Sequence, residues 1–115
     1  METETTTLTK SQAYLNFAAE YLETIVQYSK KVSIVHGPSH PETHDVHRLV
    51  LTLIEDISKS EKESKIDNLP IQESLKALKE LTAWFTVPSW ACWTFERLYQ
   101  MLNDFDSVSS EFIGE

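Results

Sequence analysis

Gly37-Pro38 is the strongest helix-stop signal in this chain, and it directly follows Lys31-Val32-Ser33-Ile34-Val35-His36. Breakers are scarce, with two glycines and four prolines in 115 residues, so long helices are the natural expectation. Glycine suits the left-handed position after a helix end, and proline cannot continue the helix. The corner therefore separates two amphipathic segments. It also gathers all four histidines, His36, His40, His44 and His47, into one short window.

The segments on either side follow a helical period. Leu15, Ala18, Leu22, Ile25, Ser29, Val32 and His36 recur at spacings of three and four, with Ala19, Val26 and Val35 widening the stripe. Thr9-Lys10-Ser11-Gln12 has the form of a capping box for this first helix. Ser39-x-x-Glu42 has the same form for a second, whose apolar face is Val46, Leu49, Val50, Leu53, Ile54 and Ile57. Continuing that face by helical steps meets Ser60 and Ser64, small polar residues on what should be a core line. Asp67-Asn68-Leu69-Pro70 opens a third helix with Ile71, Leu75, Leu78, Thr82 and Phe85 in line, and Leu81 and Trp84 beside them. Val87-Pro88-Ser89 breaks it, with Ser89 the expected N-cap of a fourth helix carrying Ala91, Phe95, Leu98, Leu102, Phe105 and Phe112. No segment alternates with period two. Four helices joined by short connections predict an all-α fold: an up-down-up-down antiparallel four-helix bundle over residues 9–115, after a flexible tail over residues 1–8.

Eighteen acidic residues against ten lysines and arginines leave a net charge of -8. Phosphate affinity is carried by basic clusters, so nucleic acid and anionic membrane surfaces are not expected partners. A single cysteine, Cys92, forms no internal disulfide, which fits a reducing, cytoplasmic setting. No N-terminal export signal and no apolar run long enough to span a bilayer is present.

Three groups of residues could carry chemistry. His44 and His47 fall one turn apart on the second helix and could chelate a metal ion; otherwise both are solvated, His40 caps the corner and His36 is partly buried. The bundle di-metal pattern Glu-x-x-His does not occur. Cys92 lies beside Ala91 on an apolar face, where a buried structural thiol is expected; a thiol at a helix N-terminus can alternatively act as a nucleophile. Trp84, Trp90 and Trp93 crowd the connection between the third and fourth helices, and would either fill the core, with Trp93 on Phe85, or bind a protein partner or a second copy.

These residues resemble a known family. Lys31-Val32-x-x-Val35-His36-Gly37-x-x-His40-Pro41-Glu42 is similar to a stretch of the hemerythrin-like domain in iron–sulfur cluster repair di-iron proteins. Leu81-Thr82-x-x-Phe85-Thr86-x-Pro88, then Ala91-Cys92-x-Thr94-Phe95 and Leu98-Tyr99, resembles a second signature of that family, in the right order. The resemblance implies a four-helix bundle holding two irons and a role in repair under nitrosative or oxidative stress. Carried over position by position, only His36 is retained as a ligand, with His40 beside it. The family's other ligand positions fall near Leu15, on Ser60 and Ser64, at about Asn68, near Phe112 and near Glu115. The resemblance therefore implies a metal-free relative without cofactor or enzymatic activity, serving as a binding or regulatory module. The alternative is an altered metal site, with iron held by His36 and His40 together with carboxylates from elsewhere.

Overall fold

A computed structural model describes residues 9–63 and 65–113; the expected tail over residues 1–8, Ser64 and Glu115 lie outside the described residues. It is an all-α four-helix bundle, with no strand among the described residues. The helices are α1 (Lys10–His36), α2 (Glu42–Glu63), α3 (Asn68–Leu81) and α4 (Trp93–Ile113). No helix among them is long and apolar enough to cross a membrane. The longest, α1, packs on both α2 and α4, while α3 closes on α2.

The expected stripes form the core. Leu22 and Ile25 of α1, Val50, Leu53 and Ile57 of α2, Ile71 and Leu78 of α3, and Leu98, Leu102 and Phe105 of α4 are completely buried. Each such side chain contributes about 1.5–3 kcal/mol by leaving water. Val35 does not widen the α1 stripe as expected: it is exposed, and Tyr14 and Ser33 are buried instead. At 100° per residue Val35 falls about 130° from the line through Leu22 and Ser29, whereas Ser33 falls about 30° from it.

Polar residues on these stripes are accommodated one by one. Ser109, which interrupts α4, shares a 2.7 Å hydrogen bond with the Tyr14 hydroxyl of α1. Burial pushes the Tyr14 hydroxyl pKa up, with the Ser109 bond opposing. Ser33 donates to the Lys30 carbonyl at 2.9 Å, and Ser60 accepts the Asp67 N–H at 3.4 Å across the α2–α3 turn. A buried hydroxyl without such a bond would cost roughly 1–3 kcal/mol.

The helix ends match the sequence only in part. The Thr9–Gln12 capping box is present in both directions, at 3.0 and 3.2 Å. The Ser39–Glu42 box is replaced, because α2 begins at Glu42 itself. The turn before it is closed by His40 N–H donating to the His36 carbonyl at 2.7 Å and by the Thr43 hydroxyl donating to the His40 carbonyl at 2.9 Å. The third helix stops at Leu81 rather than running on through Phe85. Ala83, Trp84 and Phe85 then take φ values of 53°, 60° and 61°, a left-handed turn that costs each L-residue roughly 1–2 kcal/mol. Thr82 holds this turn, donating to the Leu78 carbonyl at 2.7 Å and accepting the Phe85 N–H at 3.0 Å. The turn lets Phe85 bury against Tyr99 while the chain leaves the helix axis. Burial, then the Glu42 charge, pushes the Tyr99 hydroxyl up to about 12.

Gly37 is required for a different reason from the one its sequence suggests. Its φ is -54° and its ψ -41°, a right-handed conformation open to any residue. A Cβ there would instead overlap the Ser33 carbonyl oxygen and the His44 ring. Gly37→Ala is therefore expected to lower stability by about 1–3 kcal/mol in urea unfolding, the usual range for overpacking. Adding His44→Ala should restore only part of the loss, since the Ser33 backbone cannot swing aside. A neutral Gly37→Ala would refute the close-approach explanation.

Candidate functional site

The up-down-up-down topology brings four helix ends together: the C-termini of α1 and α3 and the N-termini of α2 and α4. The connection from α3 to α4 crosses this end. Ala91 N–H donates to the Pro88 carbonyl at 3.1 Å, so the chain turns at Pro88–Ala91 instead of starting a helix at Ser89 as expected. The fourth helix begins at Trp93, and the Cys92 carbonyl accepts its first bond, from Glu96 N–H at 3.0 Å. Cys92 is therefore the N-cap of α4.

This turn lays two side chains onto the α1–α2 corner. The Trp90 ring stacks on His40, with centroids 3.5 Å apart and planes 4° from parallel. Its edge meets Phe95 at 5.1 Å, and His36 sits against both, 5.6 Å from Trp90 and 5.5 Å from Phe95. Held by these rings, His36 Nε2 lies 3.3 Å from Cys92 Sγ. With its own proton on Nδ1, the imidazole accepts the S–H bond and can take the thiol proton.

Cys92 is exposed, which corrects the expectation of a buried structural thiol. A residue at the N-cap precedes the helical stripe and need not follow it inward. Beside the pair lies a cavity of about 220 Å³, lined by Lys31, Val32, Ile34, Val35, His36, Cys92 and Thr94. Its surface is almost wholly apolar, and Ile34 and Val35, 65% and 68% exposed, border it.

The other histidines have further partners. His40 Nδ1 also approaches Glu42 Oε2, at 3.8 Å. His44 is exposed and lies over Gly37. His47 is half-buried rather than solvated, its Nδ1 2.8 Å from the Ser29 hydroxyl, which itself donates to the Val26 carbonyl at 3.0 Å. Burial, then the Lys30 and His44 charges, holds the His47 pKa below the usual 6.5. Among the described residues no three histidine, cysteine, aspartate or glutamate side chains converge as a metal site would require.

The three tryptophans take separate partners. Trp84, 72% exposed, lies under Lys79 Nζ at 5.0 Å, and Lys79 also pairs with Asp106 of α4 at 3.3 Å. Trp93, also largely exposed, leans on Tyr28 at 6.5 Å rather than on Phe85. Only Trp90 belongs to the histidine corner.

Sequence reasoning missed the His36–Cys92 pair because 56 positions separate the two residues. The signal that could have found it was topological: an antiparallel bundle puts the end of its first helix beside the start of its fourth. The chain matches no family model, no curated protein and no solved structure.

Two measurements test this geometry. Native protein should consume one equivalent of a thiol-reactive disulfide without denaturant, from its single cysteine; a thiol that reacts only after unfolding would overturn the exposed placement. The lowered His47 pKa means that the unfolded chain takes up its proton first as pH falls. Stability should therefore decline below roughly pH 6.5, and His47→Gln should flatten that decline in unfolding curves taken between about pH 7 and 5.

Proposed function

We propose that this chain is a helical binding or regulatory module on a hemerythrin-like scaffold, and that its working end is the His36–His40–Trp90–Cys92 corner. The observation that supports this most is the separation along α1. His36, the retained ligand position, lies 21 residues from Leu15 on one unbroken helix, about 32 Å at 1.5 Å per residue. Metal–ligand bonds are about 2 Å long, so no single centre uses both positions. At the Leu15 end the implied ligand positions have other occupations. Leu15 is buried, Ser60 is bonded to the Asp67 backbone, and the Phe112 ring stacks on Tyr14 at 4.5 Å.

The resemblance would place such a module near iron–sulfur repair or the response to nitrosative or oxidative stress, in the cytoplasm. Protein partners or a second copy would meet the exposed tryptophans, Trp84 and Trp93. The altered-site reading uses His36 and His40 with carboxylates from another helix or a second copy, because the described residues of one chain bring no three ligands together.

Elemental analysis after anaerobic incubation with ferrous iron separates these readings. Substoichiometric iron with helical content intact is the expected result. About two irons per chain would restore the di-iron reading. Iron that is retained by the native chain and lost in His36→Ala would establish the altered site instead.

A further inference from the structure

Cys92, His36 and the adjoining cavity form a unit to which the metal-free reading assigns no chemistry. The thiol is exposed, an imidazole nitrogen stands 3.3 Å from its sulfur, and both residues line the same apolar space. A nucleophile, a base within hydrogen-bond reach and a cavity for a non-reacting part of the substrate are the elements of covalent acyl capture. At about 220 Å³ the cavity is smaller than the roughly 300–1,000 Å³ of drug-sized pockets, which suits a short aliphatic chain. Its Val32, Ile34 and Val35 walls offer such a chain no hydrogen-bonding partner.

We propose that Cys92 is a modification site that accepts a short- to medium-chain acyl group from an acyl thioester. The proposal rests on the corner being the working end of the bundle. His36 Nε2 takes the thiol proton as Sγ attacks the thioester carbonyl. The new Sγ–C bond forms, the thioester C–S bond breaks, and the departing thiolate receives the proton from His36. No oxidant or reductant is needed, and the product is S-acyl Cys92 plus a free thiol. Because Cys92 caps α4, the first-turn N–H groups of Trp93, Thr94 and Phe95 have no intrahelical acceptor and can stabilise the carbonyl oxygen as it becomes negative. Lys31, which lines the same cavity, supplies a positive charge for an anionic thioester carrier. The acyl chain then occupies the cavity and covers Ile34 and Val35.

The test is intact-mass spectrometry of the native chain incubated with octanoyl-coenzyme A or acetyl-coenzyme A, with the same chain unfolded in urea as the background. The expected result is one octanoyl group per chain, removable by hydroxylamine and absent in Cys92→Ser. The native octanoyl rate should exceed the unfolded one by at least about tenfold, and His36→Gln should slow it by roughly 10²-fold, the low end for general-base catalysis. Octanoyl should also outpace acetyl, and Val35→Trp, which fills the cavity, should erase that preference. Equal rates in native and unfolded chain, or no preference for octanoyl over acetyl, would overturn the proposal. If His36→Gln loses its helical circular dichroism, the chain-length preference of the unsubstituted protein decides alone. Failure here with no iron bound would leave the metal-free module standing, whereas stoichiometric iron would remove that reading whatever the acylation result.

Discussion

Burial of one continuous face of α1 is the constraint on which the rest of this structure depends. Its 27 residues form the longest helix, and it packs on both α2 and α4. Tyr14, Leu15, Ala18, Leu22, Ile25 and Val32 bury successive turns of it. An isolated helix gains little from propensity alone, so α1 is held by what packs on this face. The direction of α1 in turn sets where its C-terminal histidine emerges, and hence where a site can be built.

Polar groups on that face, and those packed against it, bond nearby. Ser29, Ser33 and Ser109 are each buried and each hydrogen-bonded, to His47 and Val26, to Lys30, and to Tyr14. The contrast is Asp56 on α2, one of whose carboxyl oxygens is buried with no hydrogen-bond partner. Burial, then the Glu55 and Asp67 charges, raises its pKa, with Lys59 opposing. Such a group offsets part of the stability that its apolar neighbours contribute. The interior thus reads as an apolar core with local polar repairs, while His36, His40 and Cys92 collect at one end of the bundle.

At that end, strain and stacking work together. Three left-handed residues after α3 redirect the chain, and the Pro88 turn brings Trp90 down on His40 and Cys92 up to His36. The imidazole of His36 is confined by two aromatic rings, so its geometry against the sulfur is built into the fold rather than left to a mobile side chain. A pre-positioned base of this kind is what acyl capture by Cys92 requires.

Much of the bundle was legible in the residues. The three-and-four spacing of Leu15, Ala18, Leu22 and Ile25, the scarcity of breakers and the Thr9–Gln12 box determined helices with their buried faces, because period and capping are local properties of a chain. Contacts between distant residues were decided by the tertiary structure. Gly37 takes a helical conformation and is needed because the His44 ring and the Ser33 carbonyl approach it. The third helix ends at Leu81 because Thr82 supplies a stop and Phe85 buries against Tyr99. His47 finds Ser29 across two helices, and Cys92 meets His36 only because α4 starts where α1 ends. Periodicity states which face of a helix turns inward; only the packed bundle states which side chain waits there to meet it.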